Sequence, residues 1–333
     1  MNRLSKLTVL LLLLALVVSA CSPAEPSVPE ATDEPFRVAV VTPSAINDLA
    51  FTQSMYDALV KVQELKGGEE NFQFVISESM FVVDDAGAAI RDYASQDYDL
   101  VIAHGSQYGS VLQEIAPDFP DTTFAWGTTV DTFGIPNIFA YEARSEEGGY
   151  VNGVMAGALT ESDVVGVVGP IETGDAKLYV DGFVAGVRAQ NPDAQVNVNW
   201  IGSFSDVALA SEAAQTHIGA DADVMAGTAQ MVVGAIGVAK DNGTLWFGTQ
   251  ASQTELAPEI VVANQIYDWS GVILQIMDLM EEGELGGQSF EINLQNEGLY
   301  IEYNPEFDLP DDVRALAEET KQGIIDGTID PLP

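Results

Sequence analysis

The chain has 333 residues, 47% apolar and 19% charged, enough for about two ordinary domains. Its 12 basic and 51 acidic residues give a formal net charge of −39, a field that repels nucleic acid and anionic lipid surfaces. Cys21 is the only cysteine and His104 and His217 the only histidines, which excludes an internal disulfide and a standard zinc site. No metal or other cofactor is expected.

In chain order, Arg3 and Lys6 precede an apolar run over residues 7–18 that ends in Ser19, Ala20 and Cys21. The run is shorter than the roughly 20 residues a membrane span needs and reads as a secretory signal over 1–20. Residues 16–21 resemble the bacterial lipobox, which implies a lipidated Cys21 at the mature N-terminus. Residues 21–35 carry Pro23, Pro26, Pro29 and Pro35 among acids and read as an extended tether, about 3 Å per residue. The expected location is the extracytoplasmic face of the cell membrane, lipid-anchored. Loss of Arg3 and Lys6 with the signal takes the charge from −39 to −41. Such acidity suits a saline or acidic medium, or solubility alone.

Beyond the tether, β-branched runs alternate with amphipathic stretches. Residues 37–42 read as a buried strand ended by Pro43, and 51–65 as a helix with apolar residues at 51, 55, 58, 59, 62 and 65. Strands follow at 74–76, 98–103, 122–126 and 138–141, with helices at 86–94 and 107–115. The pattern then restarts. Helices at 146–160 (rich in small residues), 175–190, 206–218 and 231–240 alternate with strands at 164–168, 196–201, 223–226, 245–247 and 260–263. A helix at 269–281, short strands near Phe290 and Tyr300, and a helix at 310–325 complete the chain.

Alternating strands and helices imply parallel sheets covered on both faces. The expected fold is α/β: two doubly wound parallel-sheet (Rossmann-like) domains joined by a hinge. The expected lobes are 36–142 with about 267–295, and 143–266 with about 296–333. Ligands of such sheets bind beyond the carboxyl ends of the strands, so two facing edges make one closable cleft.

The opening strand, loop and helix run Val38-Ala-Val-Val-Thr-Pro-Ser-Ala-Ile-Asn47-Asp48-Leu-Ala-Phe51-Thr-Gln53-Ser54. They resemble the start of the basic-membrane-protein (BMP) family of substrate-binding lipoproteins, many of which bind purine nucleosides. Glu146-Glu-Gly-Gly-Tyr-Val-Asn-Gly153, the strand 164–169, Asp181-Gly-Phe-Val-Ala-Gly-Val187, Asn304-Pro305 and the segment 321–329 are similar to later family motifs, in the family order. The resemblance implies a type I periplasmic-binding fold, a small-molecule ligand, an ABC permease as partner and a monomeric state. It also marks departures. Pro43, Ser110 and Gln250 stand where nucleoside-binding members carry carboxylates, and Tyr267 where they carry lysine. Ribose hydroxyls are commonly held by carboxylates, so these changes favour another polar heterocycle as readily as a nucleoside.

The candidate ligand-binding residues follow from strand ends and from the resemblance. Phe51 matches the family's ring-stacking aromatic, or is a core residue of an amphipathic helix. Asn47 and Asp48 suit ligand contact and helix capping equally. Gln53 orients a ligand or only meets solvent. Ser106 and Gln107 follow the third strand, beside His104, which reads as a hydrogen-bonded strand-end histidine. Trp126 and Trp269 wall the cleft or pack the hinge. Thr173 lies on a rim loop, Gly227 and Thr228 end a strand where close backbone approach suits glycine, and Gln250 completes the set. Residues 169–177 have the first spacing of a phosphate loop, but Asp175 stands where lysine must, so phosphate binding is rejected.

No hydrolase motif occurs. The reading is therefore not an enzyme but an extracytoplasmic binding lipoprotein that captures a small polar ring compound, nucleoside or nucleobase, for a permease. A ligand sensor feeding a membrane receptor is the alternative; a nucleoside hydrolase lacks the aspartate cluster it needs.

Overall fold

The computed structural model describes residues 34–332; the secretory segment and Cys21 lie outside them. Two six-stranded sheets form the framework. The first is ordered β11-β5-β4-β3-β1-β2, with β1 Phe36–Val41, β2 Phe72–Ser77, β3 Leu100–His104, β4 Thr123–Gly127, β5 Ile138–Ala143 and β11 Ser289–Ile292. The second is β12-β10-β9-β8-β6-β7, with β6 Val164–Gly169, β7 Gln195–Trp200, β8 Val224–Gly227, β9 Leu245–Gln250, β10 Val261–Tyr267 and β12 Leu299–Tyr303. All ladders are parallel except β10 with β12. Burial on both faces explains the unbroken apolar strands: every residue of β3 and β4 is buried.

The helices are α1 Phe51–Leu65, α2 Val83–Ala94, α3 Gly109–Ile115, α4 Ser145–Leu159, α5 Gly174–Gln190, α6 Val207–Gly219, α7 Val232–Asn242, α8 Ser270–Glu281 and α9 Asp311–Ile325. The chain passes between the sheets three times: from β5 into α4, from β10 into α8, and from β11 to β12. Asp268, at the second passage, pairs with Lys61 of α1 and accepts from the Ser270 amide at 2.9 Å.

Strand β10 runs four residues beyond the apolar segment 260–263, and the buried Asn264 within that extension finds partners inside the fold. Asn264 donates to Thr254 Oγ1 (2.9 Å) and Glu302 Oε2 (3.1 Å), and its Oδ1 accepts from the Gln253 amide (3.1 Å). Residues 106–108 form a 3-10 turn before α3 where the sequence pattern suggests one continuous helix.

The small residues of α4 are a packing device. A Cβ at Gly153 would sit 2.1 Å from the Phe183 carbonyl oxygen, and one at Gly186 would sit 2.2 Å from that of Tyr150. The backbones of α4 and α5 are therefore in direct contact.

With 51 acids against 12 basic residues, at least 39 carboxylates have no cationic counterpart. Their mutual repulsion is screened as the Debye length falls from about 10 Å at 0.1 M salt to about 3 Å at 1 M. The melting temperature is expected to rise across that range; equal melting curves at both ends would refute a repulsion-limited fold.

Candidate functional site

A cleft lies between the facing carboxyl edges of the two sheets, enclosing about 400 Å³ including its mouth. From the first lobe come Pro43 after β1, Phe51 at the start of α1, Phe81 after β2, Gly105 to Gln107 after β3 and Thr128 after β4. The second lobe contributes Asp175 and Ala176 at the start of α5, Phe204 after β7, Ala229 and Gln230 after β8, and Gln250 at the end of β9. Among these described lining residues none is basic, so a phosphorylated ligand finds no counter-charge.

Phe51 is seated by what lies behind it. Its ring stacks on His104 at 3.8 Å between centroids and 5° between planes, and its remaining surface faces the cleft. His104 is fully buried; Nε2 reaches the Phe51 carbonyl oxygen at 3.2 Å and Nδ1 the Tyr141 hydroxyl at 2.8 Å. A carbonyl only accepts, so Nε2 carries the proton and Nδ1 accepts from Tyr141. Burial pushes this imidazole down to about 3, the Phe51 contact opposing only in part.

Asp175 is the cleft's carboxylate, 7% exposed. Its Oδ1 accepts from Thr128 Oγ1 at 3.2 Å, across the cleft, and its Oδ2 accepts from Gln250 Nε2 at 3.3 Å and the Tyr267 hydroxyl at 3.2 Å. Burial raises its pKa, with the hydrogen bonds from Gln250, Tyr267, Thr128 and Ala176 opposing. Gln250 holds a left-handed φ of 76° and accepts from the Ala229 amide at 3.2 Å, joining β9 to the loop after β8. Nearby Glu142 is raised to about 7 by burial and by the charges of Asp175, Glu146 and Glu291.

Of the twelve sequence candidates, Phe51, Ser106, Gln107 and Gln250 meet at the cleft wall. The others are placed elsewhere, each for a local reason. Asp48 caps α1, its carboxylate accepting from the amides of Ala50, Thr52 and Gln53 and from Ser44 Oγ at 2.5 Å. Asn47 is exposed in the preceding turn, and Gln53 turns back to accept from the Leu49 amide at 3.0 Å. Trp126 stacks on Phe133 at 4.6 Å and donates to the Gly105 carbonyl, bracing the loop from behind. Trp269 is fully buried and donates to Ser54 Oγ at 3.0 Å. Thr173 is exposed, Gly227 packs against Val168 and Trp246, and Thr228 is buried beside the lining pair Ala229 and Gln230. Among the departures from the family pattern, Ser110 is exposed away from the cleft, while Tyr267 turns its hydroxyl to Asp175.

Sequence reasoning singled out Gln230 with Gly227 and Thr228 at the end of the 223–226 strand, but missed Phe81, Phe204, Thr128 and Asp175 as cleft residues. Each stands just past a strand's carboxyl end or at the helix start that follows one, and that position was the available signal. Asp175 was visible only as the residue that spoils a phosphate loop.

Two lobes whose strand ends face one cleft define a two-domain α/β solute-binding protein. The chain belongs to the family described as ABC transporter substrate-binding protein, PnrA-like, which it matches over residues 36–330. It is 26% identical to a purine-binding protein of Brucella abortus, covering 90% of this chain and 84% of that one. It is 24% identical to the ABC transporter nucleoside-binding protein BmpA of Lactococcus lactis, covering 88% of each. The fold superimposes on an ABC transporter solute-binding protein of Aeropyrum pernix with a TM-score of 0.76 at 19% identity, covering 89% of this chain and 93% of that one. The chain is thus an extracytoplasmic substrate-binding protein rather than an enzyme, serving a small-molecule ABC transporter. Among the described residues no helix is long and apolar enough to cross a membrane.

Proposed function

We propose that this protein captures a purine-type heterocycle, base or nucleoside, and delivers it to an ABC permease. The observation that carries the reading is the lining of the cleft: Phe51 and Phe81 from one lobe and Phe204 from the other, among neutral polar groups and one carboxylate. Flat rings gain from such aromatic faces, and Ser106, Gln107, Gln230 and Gln250 supply both donors and acceptors. The relatives that bind purines and nucleosides support the same class. Residues 36–142 with 267–295, and 143–266 with 296–333, move as the two lobes, opening at the three passages to admit ligand. The monomer is held at the membrane by lipid on Cys21.

The test is a thermal-shift screen of the purified protein against nucleobases, nucleosides, sugars and amino acids. A ligand at 100 times its Kd stabilises by about 2.7 kcal/mol, a shift of several degrees. A purine is expected to give the shift and Phe51→Ala to abolish it. A shift from sugars or amino acids alone would leave the fold class standing and overturn the ligand class.

A further inference from the structure

We propose that Asp175 anchors the ligand through a ring N–H, so that the site takes free purine bases and discriminates against their ribosides. This rests on the heterocycle reading above and specifies which heterocycle. An ionised carboxylate only accepts hydrogen bonds, so its complement on the ligand is a donor edge. Asp175 forms part of the cleft wall and is buried there with no basic lining residue to neutralise it. Its side-chain partners are the neutral Thr128, Gln250 and Tyr267, all at 3.2–3.3 Å, the long end of the hydrogen-bond range. A ligand N–H approaching the same oxygens adds the charge-assisted bond that these contacts supply only weakly.

A second observation points the same way. Gln230 lines the same wall, and its Nε2 is buried without a hydrogen-bond partner among the described residues. It is a donor waiting for a ring nitrogen or a carbonyl oxygen. Acceptor at Asp175 and donor at Gln230 together match a purine base, whose imidazole N–H lies among ring acceptors. A riboside replaces that imidazole N–H by a carbon–nitrogen bond, which deletes this donor and, in adenine, the one ring N–H the base has. It also brings hydroxyls for which the wall offers no second carboxylate, since Asp175 alone carries one among the described lining residues. Gln250 has both ends of its amide already engaged, with the Ala229 amide and with Asp175.

Calorimetric titration of the purified protein with adenine, guanine and hypoxanthine, their 9-methyl derivatives and their ribosides tests the assignment. The 9-methyl compounds remove the imidazole donor with little added bulk, and adenine, which has no other ring N–H, gives the decisive comparison. At least one base is expected to bind about tenfold or more tighter than both its 9-methyl and riboside forms, the worth of one charge-assisted bond. In Asp175→Asn the base is expected to weaken by about the same factor, with the gap to its 9-methyl form closing. If this variant does not fold, the wild-type series still decides. If the 9-methyl form or riboside of every base binds as tightly as the base itself, the role of Asp175 is overturned and the heterocycle reading is left intact. Binding of no purine in any form overturns both.

Discussion

Gly153→Val should lower the stability of the purified protein by about 3 kcal/mol or more, among the largest single-residue effects available to this fold. The added Cβ would lie 2.1 Å from the Phe183 carbonyl oxygen, a backbone atom that cannot swing aside. Relief by sliding the helices is blocked on both sides. Gly149 already meets the Tyr179 carbonyl at a notional 2.5 Å, and Gly182 meets that of Glu146 at 2.3 Å. Separating α4 from α5 also shifts the start of α5, where Asp175 reaches the cleft, so ligand affinity should fall with stability. Gly237→Ala is the control: the position is helical and exposed, with nothing within 4 Å of its Cβ, so alanine should stabilise by about 0.5–1 kcal/mol. Urea unfolding measures both through the midpoint at unchanged slope. Equal midpoints for the two variants would show that the helix contact is not tight.

The second large effect is a pH dependence carried by His104. Its folded pKa is about 3, against an ordinary value of 6.5, because the ring is fully buried between Phe51 and Tyr141. Below pH 6.5 the unfolded chain takes up a proton at this imidazole while the folded chain does not. The contribution of neutral His104 to stability is therefore complete above pH 6.5 and is lost as pH falls toward 3. The loss runs at about 1.4 kcal/mol per pH unit. Asp48, Asp175, Glu142 and Glu147 have raised pKa values and act in the opposite sense, gaining stability as pH falls. The comparison is therefore between wild type and His104→Gln at each pH, which cancels the carboxylates. Their stability difference should shrink between pH 6 and 4 by roughly that slope. Parallel curves, or an imidazole NMR signal that titrates near 6.5, would contradict the buried neutral ring. Because His104 backs Phe51 and stays neutral in the folded protein over this range, it should leave ligand binding unchanged there.

Much of the framework was legible before any coordinates. Helix α1 begins and ends where the apolar spacing from Phe51 to Leu65 places it. The apolar strands and their alternation with helices point to two wound sheets, because a strand buried on both faces has to be continuously hydrophobic. The site was less legible. Asp48 and Asp175 are both acids at the start of a helix, and nothing local tells them apart. The structure turns Asp48 into its own helix, as a cap, and carries Asp175 to the cleft. Trp126 and Trp269 look like cleft walls by position, yet each donates to a neighbouring loop or helix and stands behind the binding surface.

Local and periodic signals thus settle the sheets and helices and the family, because these depend on spacing and residue type along the chain. Which side chains converge on the ligand does not. Phe51 and Phe204 line one cleft because the two lobes face each other, and Thr128 meets Asp175 across that gap at 3.2 Å. These pairings join residues distant in sequence, and the packing of complete sheets sets their distances. The setting of the cleft's carboxylate therefore emerges only once both lobes are in place.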